Sequence, residues 1–320
     1  MVRLEMKPLF EERMRKLLPD AEDFVKFNEI IHTKPKNYIR CNTLKISCDK
    51  LFSRLKKRWN VTQPFQNHKE IILIEQELLP GELGNAIEHL LGYYYIQEIS
   101  SMMSVIALKP QAGEFVLDLC SSPGSKTTQI AAMMENTGTL IANDIKLDRI
   151  KILSANLERC GVMNCVATRN DGVGLCERLA KKGFKFDKIL LDVPCSGEGT
   201  LRSSSKTFLM WNYKVVNKLS REQKKLLANA IKCLKKGGEI VYSTCTHSPE
   251  ENEEVINFAL RNFPVKIEKI NLPLKCRPGI FEWRGDEFDK SVINCCRIYP
   301  QDNDSEGFFV AKLKLMEEVK

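Results

Sequence analysis

Residues 115–128 read FVLDLCSSPGSKTT. The apolar run ending at Cys120 has the length and composition of a strand buried on both faces. The small residues that follow, Gly124 among them, let backbone N–H groups come close to a ligand. A helix is expected from about Lys126 to Gly138. The turn is neither G-x-G-x-x-G nor the G-x-x-x-x-G-K-[ST] phosphate loop, which argues against a nucleotide phosphate as the ligand.

The strand–turn–helix rhythm continues downstream. TLIANDI (139–145) reads as the next strand. The helix LDRIKILSANLERC (147–160) places Leu147, Ile150, Leu153 and Leu157 on one face, with Gly161 as its stop. NCVATRN (164–170) and KILLDV (188–193) are further strands, and EIVYSTC (239–245) follows a basic helix that Gly237–Gly238 would close. Strands alternating with helices specify a mainly parallel sheet with right-handed crossovers. INCCRIYP (293–300) and GFFVAKLKL (307–315) are two nearby strands suited to antiparallel pairing. The expected fold is therefore a doubly wound, Rossmann-like α/β sheet with a terminal antiparallel strand, over residues 93–320. Residues 1–92 read as a smaller α+β unit, with helices at 9–18 and 21–32, a strand YIRCNTLK (38–45), a helix capped by Ser47 and a strand IILIEQ (71–76).

The net charge of +8 over 320 residues is mild, but its distribution is uneven. Nine basic residues fall in 34–58 against Asp49 alone, and seven in 202–225 against Glu222 alone. Such segments suit an RNA phosphate track, with Lys56, Lys57 and Arg58 as candidate contacts, and equally suit solvated helix faces. The 12 cysteines carry no paired C-x-x-C spacing, so no metal is expected. No charged-then-apolar leader opens the chain, and no apolar run approaches the roughly 18 residues of a membrane span. The expected setting is cytoplasmic, off the membrane, with reduced thiols.

Ligands of doubly wound sheets sit beyond the carboxyl ends of the strands. Asp144 ends the second strand, 26 residues beyond Asp118, where an acid suits a ribose diol. Asp171 follows the third strand and could accept a hydrogen bond from an adenine amino group. Singly, each Asp reads as a turn or helix cap; their regular placement points to a nucleoside without a diphosphate, which describes S-adenosylmethionine. Cys195 and Cys245 lie just beyond the fourth and fifth strands, neighbours about 4.8 Å apart in the usual order. Two thiols there suit covalent chemistry in which one attacks and the other assists release. These placements alone do not choose between them.

The stretches DLCSSPGSKT, DVPCSGEGT, YSTCTHSPEENEEV and RIYP…EGFFVAKL resemble the signature motifs of the Sun-type RNA 5-methylcytosine methyltransferases, over about residues 93–315. YIRCNTLK resembles the short basic motif of that family's N-terminal RNA-binding region, which adds Arg40 and Asn42 as RNA contacts. The look is nearest to the compact archaeal tRNA-modifying members. The resemblance implies a methyltransferase fold and methylation of cytosine carbon 5 in RNA, with tRNA favoured over rRNA. It implies that Cys245 attacks carbon 6 and Cys195 helps release the product. Asp192 and Lys126 lie near the base, and Asp192 also near the methyl donor. Residues Cys120, Ser121, Ser122, Pro123, Gly124, Ser125 and Lys126 wrap the cofactor, Asp144 takes its ribose, Asp171 its adenine, and Arg149 holds the family's basic position.

Two departures stand out. The loop reads SSPGSK where the family usually has AAPGGK, which is tolerable unless the replaced glycine needs positive φ. Gln301 stands where His usually follows Tyr-Pro. Ser248 and Glu251, with Pro249 between them, fit a helix capping box, so the acids Glu250, Glu251 and Glu253 are given no catalysis. His247 reads as structural. The competing functions are a methyltransferase for protein or small molecules, which needs no thiol pair, and a non-catalytic RNA-binding scaffold, which needs neither Cys245 nor Asp192.

Overall fold

The computed structural model describes residues 5–204 and 206–319. Two helices come first, Pro8–Leu17 and Ala21–Ile30, the second capped by Asp20, whose carboxylate accepts the Glu22 N–H at 2.8 Å. A small antiparallel sheet follows: β1 (Asn37–Cys41), β2 (Val61–Thr62), β3 (Ile71–Ile74) and β4 (Tyr94–Ile96), in the order β2-β3-β1-β4. The expected boundary at residue 92 thus falls one strand short of this sheet. The helix Cys48–Leu55 packs Leu51 and Leu55 under it.

The large sheet carries β5 (Phe115–Asp118), β6 (Thr139–Asp144), β7 (Cys165–Arg169), β8 (Phe186–Asp192) and β9 (Leu234–Thr244), all parallel, in the order β7-β6-β5-β8-β9. β10 (Val265–Glu268), β11 (Arg277–Pro278), the hairpin β12 (Glu282–Trp283) with β13 (Asp286–Glu287), β14 (Cys296–Ile298) and β15 (Phe308–Leu315) complete the strands. β15 runs antiparallel against β9; β14 and β10 both pair with its other edge, and β11 with β14. This is the Rossmann-like class I methyltransferase sheet. The chain leaves β5 toward β6 and returns to β8 on the other side, so the switch point lies between β5 and β8.

Several local expectations are corrected. The basic helix, Tyr213–Lys232, ends before Gly237–Gly238, which sit inside β9 where its register against β8 shifts. Helix Glu253–Asn262 starts later than a Ser248–Glu251 capping box requires. Instead Ser248 Oγ donates to Glu198 at 2.6 Å, and Glu250 takes a bidentate pair from Arg13. Cys276 and Cys296 are disulfide-bonded, against the expectation of reduced thiols throughout. The β11–β14 pairing sets Pro278 opposite Cys296 and so brings together two cysteines that are 20 residues apart in sequence.

Arg40 and Asn42 are also corrected as RNA contacts. Both are 2% exposed, because β1 faces the large domain. Arg40 donates to the Ser125 carbonyl at 2.7 Å and to Thr128 Oγ1 at 2.8 Å; Asn42 donates to the carbonyls of Gly92 and Cys160, each at 2.8 Å. They bolt the small sheet to the helices after β5 and β6. Gly92, at φ +74°, is required there: a Cβ would lie 1.9 Å from the Arg159 carbonyl. The first two helices also pack on the large domain, through Phe10 against Trp211 and Phe27 against His247.

The C-terminal strands are tied back by Arg297, which grips Glu253 with two 2.6 Å contacts, both side chains buried. Its third nitrogen donates to the His247 carbonyl at 3.0 Å. Removing one member of such a pair strands the other charge. Arg297→Met is expected to lower unfolding free energy by about 3–5 kcal/mol, measured by urea titration; a loss below about 1 kcal/mol would show that water reaches Glu253.

Candidate active site

Parallel pairing brings the ends of the strands level: Asp144 opposite Arg169, and Asp192 opposite Ser243. Beyond these ends lie two cavities. The first, of about 530 Å³, is lined by Cys120, Ser122, Asp144, Arg149, Asp171 and Asp192 among others. The second, of about 390 Å³, is lined by Lys126, Asp192, Cys245, Glu98, Glu306 and Phe308 among others. Asp192 and Val193 line both, so they are the wall the two share.

Asp144 is 4% exposed and accepts the Lys146 N–H at 3.1 Å, with Arg149 Nε 3.4 Å from its other oxygen. Asp171 is exposed and caps the helix Gly172–Lys181 through the Gly174 N–H at 2.9 Å. Cap and cavity wall are thus the same residue. Between these acids Ile145, 56% exposed, faces the cavity with Leu226 and Val193. An apolar slot flanked by two carboxylates has the size and polarity to accept an adenosine.

The loop residues divide. Cys120 and Ser122 line the first cavity; Ser121, Pro123, Gly124 and Ser125 shape it without lining it. Ser121 Oγ donates to the Asn143 carbonyl and Ser122 Oγ to the Arg149 carbonyl, so these serines add hydrogen bonds that alanine lacks. Gly124 has φ +104° and a Cβ there would sit 3.0 Å from Leu153; Ser125 is the first helical residue and needs no such φ. The SSPGSK departure is therefore accommodated. Lys126 is corrected as a cofactor ligand, since its ammonium turns to the second cavity, 2.8 Å from Asp192 and 2.7 Å from Ser101 Oγ. Asp192 also accepts from Ser243 Oγ at 2.7 Å.

Cys195 Sγ and Cys245 Sγ are 3.0 Å apart. Cys245 lines the second cavity, whereas Cys195 lines neither. Its contact with Cys245 and its burial push the Cys195 thiol well up from its ordinary value. The two turns are locked together by glycines. Gly199 donates to the Cys245 carbonyl at 2.9 Å, Gly307 donates to the Gly199 carbonyl at 2.8 Å, and a Cβ on Gly199 would lie 2.2 Å from that same Gly307's carbonyl oxygen. His247 is structural: it stacks on Tyr299 at 4.9 Å, and burial holds its imidazole down at about 3. Gln301 donates to Asp23 at 3.1 Å, joining β14's exit to the second helix.

Reading the sequence missed Glu98 and Glu306. Burial raises both carboxyls, and Glu98 accepts the Glu306 N–H at 3.0 Å. Glu306 stands in the EGFF motif, but Glu98 shows only as a residue before a helix, which its carboxylate caps. Among the described residues no group of His, Cys, Asp and Glu is placed to hold a metal ion.

Residues 105–314 match the family described as 16S rRNA methyltransferase RsmB/F, and residues 6–99 match the N-terminal domain of 16S rRNA methyltransferase RsmF. The chain belongs to the RsmB/F family. It is 40% identical, over 95% of its length and 94% of the relative's, to tRNA (cytosine(49)-C(5))-methyltransferase of Pyrococcus abyssi. It is 41% identical over 93% of its length to ribosomal RNA small subunit methyltransferase F of Shewanella piezotolerans, of which it spans 61%. Among solved structures, a methyltransferase homologue from Pyrococcus horikoshii superposes with a TM-score of 0.84 at 34% identity, covering 98% of this chain and 97% of that one. NSun6 from the same organism, solved with SFG, gives 0.84 at 25% identity, covering 97% of this chain and 98% of that one. The chain is an RNA (cytosine-5) methyltransferase that uses S-adenosylmethionine.

Asp144→Ala removes a buried acceptor from the first cavity. It is expected to weaken S-adenosylmethionine binding by about 10- to 150-fold, the equivalent of roughly 1.5–3 kcal/mol. Asp171→Ala should weaken it too and also cost about 1 kcal/mol of stability through the lost cap. Calorimetry with wild-type affinity in both variants would refute the assignment of this cavity.

Proposed function

We propose that this enzyme methylates a cytosine of tRNA, with Cys245 attacking carbon 6 and Cys195 assisting release. The observation that carries the division of labour is positional: Cys245 lines the second cavity, and Cys195, its sulfur 3.0 Å from that of Cys245, lines neither cavity. A cytosine in that cavity meets the Cys245 sulfur on one side and the wall of Asp192 and Val193 on the other. Addition of the thiolate to carbon 6 makes carbon 5 nucleophilic. S-adenosylmethionine, bound across the shared wall, supplies the electrophilic methyl group. The Lys126–Asp192 pair lines the cavity where negative charge develops as sulfur adds, and we assign Asp192 to ring nitrogen 3. Loss of the carbon 5 proton then lets the carbon–sulfur bond break and frees Cys245; the adjacent Cys195 is the group at hand to assist. A base reaches so recessed a cavity only when turned out of its stack.

The choice of tRNA is supported by the likeness to the archaeal tRNA (cytosine(49)-C(5))-methyltransferase, 40% identical over 95% of this chain. RNA positioning falls to the N-terminal unit, on Lys56, Lys57 and Arg58, which are exposed beside Lys50. The second basic segment contributes less, because Arg202 is spent on Asp304 and Lys224 on Glu254. We place the enzyme in the cytoplasm; among the described residues no helix is long and apolar enough to cross a membrane.

Two measurements test this reading. On a denaturing gel with substrate RNA and cofactor, Cys195→Ala should accumulate a covalent protein–RNA band, and Cys245→Ala should give neither band nor methylation. The reverse pattern would exchange the two roles, and full activity in both would end the covalent mechanism. Converting Lys56, Lys57 and Arg58 to Glu should weaken tRNA binding and flatten its salt dependence by up to about one log–log unit per lost phosphate contact. Unchanged affinity would move the RNA surface elsewhere.

A further inference from the structure

A buried acid stands behind the Pro-Cys turn. Glu251 is fully buried, and one carboxylate oxygen accepts the Ser196 backbone N–H at 3.1 Å and the Gln223 amide at 2.8 Å. The same Gln223 amide donates to the Pro194 carbonyl at 2.9 Å, and Tyr242 donates its hydroxyl to the Glu251 carbonyl at 2.5 Å. The other carboxylate oxygen has no partner. Glu251 lines neither cavity, so it touches neither the base nor the cofactor. What it does touch is the turn 194–196, which carries Cys195.

Across that turn, Cys195 Sγ lies 3.0 Å from Cys245 Sγ and accepts the Cys245 backbone N–H at 3.3 Å. Two thiols this close share a hydrogen. When the pair loses one proton, the one that remains must sit on one sulfur or the other, and the two sites titrate together. The choice matters, because only the Cys245 sulfur faces the cavity that takes the base. Within the pair, the Cys245 N–H donated to Cys195 Sγ favours charge on Cys195, so the choice of Cys245 needs a further group.

We propose that Glu251 is a positioning residue that makes this choice: its carboxylate keeps the shared proton on Cys195 and so leaves Cys245 as the attacking thiolate. The inference rests on the reading of Cys245 as nucleophile. Only S–H bonds are involved. The Cys245 proton departs to solvent, the Cys195 S–H bond stays intact, and its hydrogen turns toward the Cys245 sulfur. A negative charge fixed beside Cys195 opposes a second one on that sulfur. Glu251 holds the Ser196 N–H of the turn that carries Cys195 and acts on that thiol; Tyr242 of β9 binds the Glu251 carbonyl, Glu198 lies near Glu251, and Gln223, from the helix 213–232, is neutral. No cation is among them. Burial, with the nearby Glu198, lifts the Glu251 carboxyl to about 7, so its charge is gained as the pH rises through neutrality.

The test needs neither RNA nor cofactor. Iodoacetamide alkylation of the full chain, read peptide by peptide in a mass spectrometer, gives the ratio of Cys245 to Cys195 modification between about pH 6 and 9, the range around ordinary thiol titration. In the wild-type chain this ratio should rise as pH passes through about 7. Glu251→Gln should lower it about tenfold at the alkaline end, the effect of one pKa unit, and Glu251→Asp, which keeps the charge, should largely restore it. In a Cys195→Ala background, Glu251→Gln should no longer slow alkylation of Cys245, since no competing sulfur remains. A ratio that is flat with pH and unchanged in Glu251→Gln would overturn the proposal, as would an equal slowing of Cys245 in the Cys195→Ala background. If Glu251→Gln does not fold, the pH profile of the wild-type ratio decides alone. Failure of Cys245 to form the RNA adduct on the gel would instead remove the reading on which the proposal rests, whatever the alkylation ratio.

Discussion

β8 and β9 lie side by side and parallel, with Asp192 opposite Ser243 and the Ser243 hydroxyl bound to the Asp192 carboxylate. That register is the constraint on which the site depends. A slip of one residue would turn every side chain to the other face of the sheet. It would also carry the Pro-Cys and Thr-Cys turns out of step. In register, the two sulfurs come within 3.0 Å, and Asp192 and Val193 stand in the walls of both cavities. The register shift near Phe186–Lys188 is absorbed at the far end of β9, at Gly237–Gly238, away from the chemistry.

Two buried ion pairs stand close to this pair. Arg13 with Glu250 and Arg297 with Glu253 lie within a few residues of the Thr-Cys turn, and each is bidentate. Buried pairs of this kind add little net stability against an apolar packing, because desolvation opposes the attraction. What they add is geometry. Arg13 comes from the first helix and Arg297 from β14, so both ends of the chain converge on the segment 247–253 and hold it. The turn that bears Cys245 is thereby positioned by elements far from it in sequence.

The same logic explains Arg40 and Asn42. In a basic motif near the start of the chain, arginine and asparagine look like RNA contacts. In the fold they donate hydrogen bonds to the helix after β5 and to the end of the next helix. The N-terminal unit is thus fixed against the cofactor side of the catalytic domain. Lys45, though exposed, joins this fastening through the Leu91 and Arg159 carbonyls, whereas Lys56 and Lys57 stay at the surface.

Much was legible in the residues alone. Period and punctuation located the parallel strands, since a buried strand is a short apolar run and a crossover helix has an amphipathic stripe. The acids at strand ends, Asp144 and Asp171, and the thiols Cys195 and Cys245 followed, because a doubly wound sheet presents those ends to its ligand. The tertiary structure alone decided which polar residues are buried. Arg40 and Glu251 differ from exposed counterparts only in what packs on them, and that packing comes from segments tens to hundreds of residues away. It also decided that Ser248 and Glu251 serve the core rather than a helix cap, that Cys276 meets Cys296 through β11 and β14, and that Lys126 turns from the first cavity to the second. Local sequence sets which elements form; burial and pairing across the chain are properties of the whole fold, and they settle what each polar side chain does.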